Sequence, residues 1–104
     1  MRLEIRSEGL EVGSGLRDSI RRRLRFVLGR FGSRVRRVTV HLAETNAHTG
    51  GTDKGCRIVA LLVPSGRVCV EVSETDLGSA LTRAAERVGP AVSRELMRRR
   101  DAGR

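Results

Sequence analysis

A chain of 104 residues, 38% hydrophobic and 32% charged, holds enough material for one small globular domain with one modest core. Its net charge of +9, carried by 20 arginines and Lys54 against 12 acidic residues, exceeds what solubility needs and sets up a field that favours polyanions. That composition excludes a disordered basic tail, two cysteines exclude a dense disulfide framework, and the longest apolar run, IVALLVP from Ile58, is far too short to span a bilayer.

MRLEIRSEG lacks the hydrophobic region of a secretion signal, so a cytoplasmic protein with reduced thiols and no membrane partner is expected. RLEIRS (2–7) alternates, with Leu3 and Ile5 on one face, and reads as a short strand; EGLEVG turns the chain. Ser14 is placed to cap a helix whose apolar positions are Leu16, Ile20, Leu24, Val27, Leu28 and Phe31, a spacing that suits a period of 3.6. Gly32 stands where a glycine stop belongs.

RVRRVTVHLAE (34–44) returns to alternation and predicts a strand, whereas ETNAHTGGTDKG (44–55) has no period and reads as a long mobile loop. CRIVALLV (56–63) and RVCVEV (67–72), separated by Pro64-Ser65-Gly66, form a hairpin signal. A two-residue turn at Ser65-Gly66 puts Val59, Leu61 and Val63 on one face with Val68, Val70 and Val72. The opposite face then carries Ile58, Ala60, Leu62 and Cys69, so apolar that it needs a cover unless the register is off by one. Thr75 or Asp76 caps a last helix reaching about Arg100, with a stripe of Leu77, Leu81, Ala84, Val88, Val92 and Leu96 and a kink or break at Pro90. The expected fold is α+β in the order β-α-β-β-β-α, a four-stranded sheet with two helices packed on one face, and 1–104 as a single domain.

The arginines fall outside these apolar stripes. On the first helix Arg21, Arg22 and Arg25 spread over the arc opposite the core, Arg23 and Arg30 flank one side, and Arg17 flanks the other. On the last helix Arg83, Arg87, Arg94 and Arg98 share one stripe. Two helices side by side would merge them into one continuous field, with Arg34, Arg36 and Arg37 at its margin. Arginine at helical spacing also serves as an ordinary solvated face, but such faces mix signs. The planar guanidinium fork meets phosphate oxygens two at a time, so a surface that reads an RNA backbone is the natural use. No aromatic is interleaved on that arc, which argues for shape and phosphate recognition over base stacking.

Other chemistry finds little support. His41, His48, Cys56 and Cys69 lack metal-ligand spacing, so no metal and no cofactor is expected. Glu44, Asp53, Glu71, Glu74 and Asp76 read as loop polarity and capping, and Gly50-Gly51 lacks the following Lys-Ser/Thr of a phosphate loop. No catalytic residue is assigned, and the protein is not read as an enzyme.

From Leu3 to about Arg99 the chain resembles the ribosome hibernation-promoting factor and ribosome-associated inhibitor family (sigma-54 modulation proteins). The first-helix pattern appears as LEV (10–12), Leu16-Arg17-Asp18, Ile20, Arg22-Arg23-Leu24 and Phe31. The second appears as DLGSALTRAAERV (76–88), and the Pro-x-Gly hairpin lies between them. The family's Thr-Pro before the first helix is Gly13-Ser14 here, and the aromatic often found early in the second helix is Gly78.

The resemblance implies a layout like that of double-stranded RNA-binding domains and a stress factor of the small ribosomal subunit. Such a factor occupies the channel of mRNA and of A- and P-site tRNA. It implies rRNA contacts at Arg17, Arg22, Arg23, Arg83 and Arg87, to which the helical wheel adds Arg21, Arg25, Arg94 and Arg98. Long members carry a C-terminal dimerising domain, which this sequence is not expected to supply. Two other readings stay open: a general binder of structured RNA, and a protein-interaction module or homodimer using the face of Ile58, Ala60 and Leu62.

Overall fold

The structure, a computed structural model, describes residues 1–48 and 51–103, the side chains of 46–48, 51 and 52 excepted. In chain order it comprises β1 (Arg2–Glu8), α1 (Ser14–Leu28), a 3-10 segment (Gly29–Arg34), β2 (Val35–His48), β3 (Gly51–Leu62), β4 (Arg67–Glu74) and α2 (Leu77–Ala102). The strands form one mixed sheet in the order β1-β2-β3-β4, parallel between β1 and β2 and antiparallel elsewhere. The expected β-α-β-β-β-α order is thus the observed one.

Both helices bury their apolar stripes against the same sheet face. Ile20, Leu24 and Leu28 of α1 join Ala80, Leu81, Ala84, Ala85, Val88 and Val92 of α2 in one cluster with Val38, Val40, Leu42, Ile58 and Ala60. Burying a residue such as Leu24 or Val88 contributes roughly 1.5–3 kcal/mol, so a layer of aliphatics holds the fold, with Phe31 only partly buried against it. The helices touch closely at Gly89, where a Cβ would stand 3.6 Å from the Val27 carbonyl oxygen.

Helix ends follow local chemistry, with one change. The cap of α1 is Gly13, in extended conformation, and Ser14 is the first helical residue without a capping bond of its own. Gly32, with φ +56°, reverses the chain into β2 in the left-handed region that glycine adopts without strain. Asp76 caps α2: its Oδ2 accepts from the Ser79 backbone N–H at 2.9 Å and from the Ser79 hydroxyl at 2.8 Å. These bonds hold its carboxyl below the ordinary carboxylate value. Instead of breaking, α2 runs through Pro90, which lies on its exposed side together with Glu86, the residue whose carbonyl loses the proline N–H.

Two expectations about the hairpins are corrected. The stretch read as a loop at 44–55 is strand: Glu44 pairs with Lys54, Thr45 with Asp53 and His48 with Gly51, leaving only 49–50 outside the described residues. β1 ends opposite Ala43 and β4 opposite Lys54, so beyond that line β2 and β3 continue as a two-stranded ribbon. A ribbon without flanking strands has little buried surface to impose alternation, and the described side chain it does bury, Asp53, is polar, which is why its sequence looks like a loop. At the base of the ribbon, where Gly55 still pairs with Ala43 and Ser73, the fit is tight, since a Cβ would meet Thr45 Cγ2 at 3.2 Å.

The second correction concerns register. Leu61 pairs with Arg67 and Ala60 with Val68, and the Leu62 N–H donates to the Gly66 carbonyl at 2.9 Å; the connection is Val63–Gly66, not a two-residue turn. An odd shift swaps the faces. Ile58, Ala60 and Leu62 are therefore core, at 1%, 0% and 4% exposure, and offer nothing to a protein partner or a second copy. The buried helix layer is the cover that their apolarity required.

Candidate nucleic-acid interface

The nine arginines singled out on the helices are not equivalent. Arg17 is half-buried and acts as a strut: its Nε donates to the Val12 carbonyl at 3.1 Å and its Nη1 to the Ile5 carbonyl at 3.2 Å, tying α1 to the end of β1. Arg21 pairs with Asp18 at 3.6 Å, and Arg98 with Glu95 at 2.6 Å. Arg83 pairs with Glu74 of β4. Arg23 donates from Nη1 to the Thr82 hydroxyl at 2.9 Å and clasps the two helices together.

Arg22, Arg25, Arg87 and Arg94 differ from these. All four are exposed, and among the described residues none has a hydrogen-bond or ion-pair partner. A guanidinium in water with all five donors open is the form that can take up a phosphate without first giving up an internal contact. Exposed ion pairs of the Arg21 or Arg98 kind hold with only about 0–1 kcal/mol, so those side chains can be drawn to a polyanion at small cost.

The arginines form two strips and not one continuous field. Thr82 and Gly89 mark the flank of α2 that meets α1, through Arg23 and Val27. Arg83, Arg87, Arg94 and Arg98 lie on the other flank of α2, where Arg83 reaches the β4 edge. Between that strip and the arginines of α1 runs a crest carrying Glu86 and Pro90, both exposed. Arg37 is not at the margin of either strip: it sits on the opposite face of the sheet, bonded to Glu4 at 2.5 Å.

An aromatic is interleaved after all. Phe26 is 87% exposed, one helical turn from both Arg22 and Arg30 and adjacent to Arg25. Its position, two residues beyond the buried Leu24, puts it on the far side of the α1 wheel, a signal present in the sequence but passed over because Phe26 belongs to no apolar stripe. Arg30, in turn, holds its guanidinium 4.6 Å from the centroid of the Phe31 ring.

The outer sheet face carries its own charges in a different state. Glu4 accepts from Arg37 and Arg6 and lies within 3.9 Å of Arg2. The Arg37 hydrogen bond is the chief reason its carboxyl sits below the ordinary carboxylate value, against a smaller upward push from burial. His41 on the same face is pushed down by burial and then by Arg57 and Arg6, which keeps it neutral. Cys69 is exposed on this face, while Cys56 points into the core, where burial pushes its thiol up to about 12. Among the described residues no three His, Cys, Asp or Glu side chains gather as a metal cage would need, and no helix is long and apolar enough to cross a membrane.

The sequence matches no protein-family model and no curated protein. Solved structures do match. The N-terminal domain of Protein Y from Thermus thermophilus aligns with a TM-score of 0.72 and 25% identity, over 90% of this chain and 98% of that one. A ribosomal subunit interface protein from Coxiella burnetii aligns with a TM-score of 0.75 over 90% and 96% of the two chains; at 12% identity it speaks for the fold alone. Both neighbours are proteins of the family that the sequence pattern resembles.

Proposed function

From the sequence pattern and the fold of the ribosome hibernation-promoting factor family, joined in one chain, we propose that this protein binds the ribosome and idles it. Binding is to rRNA of the small subunit, in the channel that mRNA and tRNA use, and inhibition is by occupation of that space, with no chemical step. The observation that carries the reading is the set of exposed, unpartnered arginines on the helix layer, Arg22 and Arg25 of α1 with Arg87 and Arg94 of α2. Phosphate neutralisation by such a set drives association and makes it salt-dependent. Arg21, Arg23, Arg83 and Arg98 lie beside them and add to the field, while Arg17 serves the site by holding α1 in place. The place of action is the cytoplasm, where ribosomes are.

Co-sedimentation with purified small subunits and whole ribosomes across a salt series, in the presence of excess duplex RNA, tests this. Retention near physiological salt against the competitor is expected. Binding that the duplex strips away would make the protein a general binder of structured RNA, and no binding even at low salt would remove the RNA reading.

A further inference from the structure

Phe26 is the largest apolar side chain that the fold leaves in solvent, and its surroundings identify what covers it. At 87% exposure it contributes nothing to the core, yet it stands among Arg22, Arg23, Arg25 and Arg30, with Asp18, the one acid of α1, two turns away. A lone exposed phenylalanine needs no explanation in itself. A ring with Arg22, Arg23, Arg25 and Arg30 all within about one helical turn of it along the chain is a different matter, because that local charge repels a second copy of the same face and any basic protein surface, and selects a polyanion. A polyanion that also offers flat apolar faces is a nucleic acid with unpaired bases. We infer that Phe26 is a stacking platform for an unpaired nucleobase, with Arg22 and Arg25 holding the phosphates on either side of it.

This rests on the RNA-binding reading above and deepens it: the ligand is RNA with a single-stranded or bulged nucleotide at α1, not a continuous duplex. Stacking needs only the π-face of the base, so the platform tolerates any base identity while rejecting one already paired inside a helix. The exposed Arg22 and Arg25 can add their planar guanidiniums to the stack, as Arg30 does over Phe31.

The test compares an RNA hairpin with a loop of unpaired adenines against a blunt duplex of equal length, with Phe26→Ala, Phe26→Leu and Phe26→Trp. Phe26→Ala should weaken loop binding about tenfold or more and leave duplex binding unchanged. Phe26→Leu should behave like Phe26→Ala, and Phe26→Trp should restore affinity. The chain has no Trp and no Tyr, so the new indole is the sole strong fluorophore, and loop RNA should quench it and shield it from acrylamide. Because Phe26 lies outside the core, all three variants should keep the wild-type melting temperature.

Unchanged loop binding by Phe26→Ala, or full affinity in Phe26→Leu, would overturn the stacking role. So would indole fluorescence that responds to protein concentration without RNA, which would mean that a second copy covers the site. Arg22→Glu with Arg87→Glu provides the separate control: if that variant still binds both RNAs, it is the underlying RNA reading that falls.

Discussion

The two broad faces of this domain are both rich in arginine, yet they are built for different ends. On the sheet face Arg2, Arg6 and Arg37 converge on Glu4, a carboxylate placed at the centre of the strand-edge cluster. On the helix face the acids are few: Asp18 and Glu95 hold Arg21 and Arg98 and Glu86 stands on the crest between the strips, while among the described residues Arg22, Arg25, Arg87 and Arg94 are left open. Counting charges would call both faces basic. What separates the Glu4 cluster from the helix-face set is whether the guanidiniums already have a carboxylate to satisfy them, because a paired arginine must release one partner to take another. Among the described residues Arg57 and Arg67 of the sheet face are open like the helix-face set, so they test whether position or openness counts.

The largest test of this contrast is a matched pair of charge reversals. Arg22→Glu with Arg87→Glu on the helix face should abolish co-sedimentation with ribosomes near physiological salt. Arg57→Glu with Arg67→Glu on the sheet face makes the same change in net charge and should lower binding only a few-fold. Equal loss in both would mean that overall charge, not the helix face, drives association. The milder Arg22→Ala with Arg87→Ala should lessen the slope of log K against log salt by about 2, one for each phosphate contact.

A smaller effect comes from releasing the sheet face. Glu4→Gln frees Arg2, Arg6 and Arg37 together, and should raise non-specific duplex binding above the wild-type level, with little loss of fold. The same carboxylate gives a signed pH dependence. Its folded pKa is lowered from 4.5, so its contribution to stability is complete above that value and is lost as pH falls through the lowered one. The melting-temperature difference between wild type and Glu4→Gln should therefore be constant near neutrality and close in acid. A gap that widens on acidification would contradict the Glu4 cluster.

The smallest effect separates the faces without touching function. Under native conditions a maleimide should label one thiol per chain, Cys69, while Cys56 stays unmodified until the protein unfolds. Labelling of Cys56 in the folded protein would refute the register that puts it in the core.

Much of this could be read from the residues, and the parts that could not share a cause. The helices are periodic over four or more turns, so Leu24 and Val88 announce the core face on their own. The α+β order and the Asp76 cap follow from equally local signals. Strand pairing is not local. Whether Ile58 or Val59 faces the helices depends on a connection of four residues, Val63–Gly66, whose length no alternation reveals. The ribbon at Glu44–Lys54 was hidden because its polarity reflects missing neighbours and not missing structure. At the site, the wheel located Arg22, Arg25, Arg87 and Arg94, but could not show that Arg17 is spent on Val12 and Ile5 or that Arg83 is held by Glu74. Those partners come from β1 and β4, elements distant in sequence. Phe26 was legible in principle, since its helical phase alone puts it opposite Leu24.

The close approach of α2 to α1 at Gly89 has a consequence for affinity. A backbone carbonyl of α1 lies 3.6 Å from where a Cβ at Gly89 would sit, and Arg23 is bonded to Thr82, so the two helices are held side by side in van der Waals and hydrogen-bond contact. The distance between the two arginine strips is thus set at folding. A ligand that matches it meets a backbone scaffold already arranged, and the ordering cost that remains is that of the exposed arginine side chains. On the proposed RNA-binding function, the seam between the helices acts as a gauge: selectivity among RNAs would come from the spacing of their phosphates as well as from the strength of any one contact.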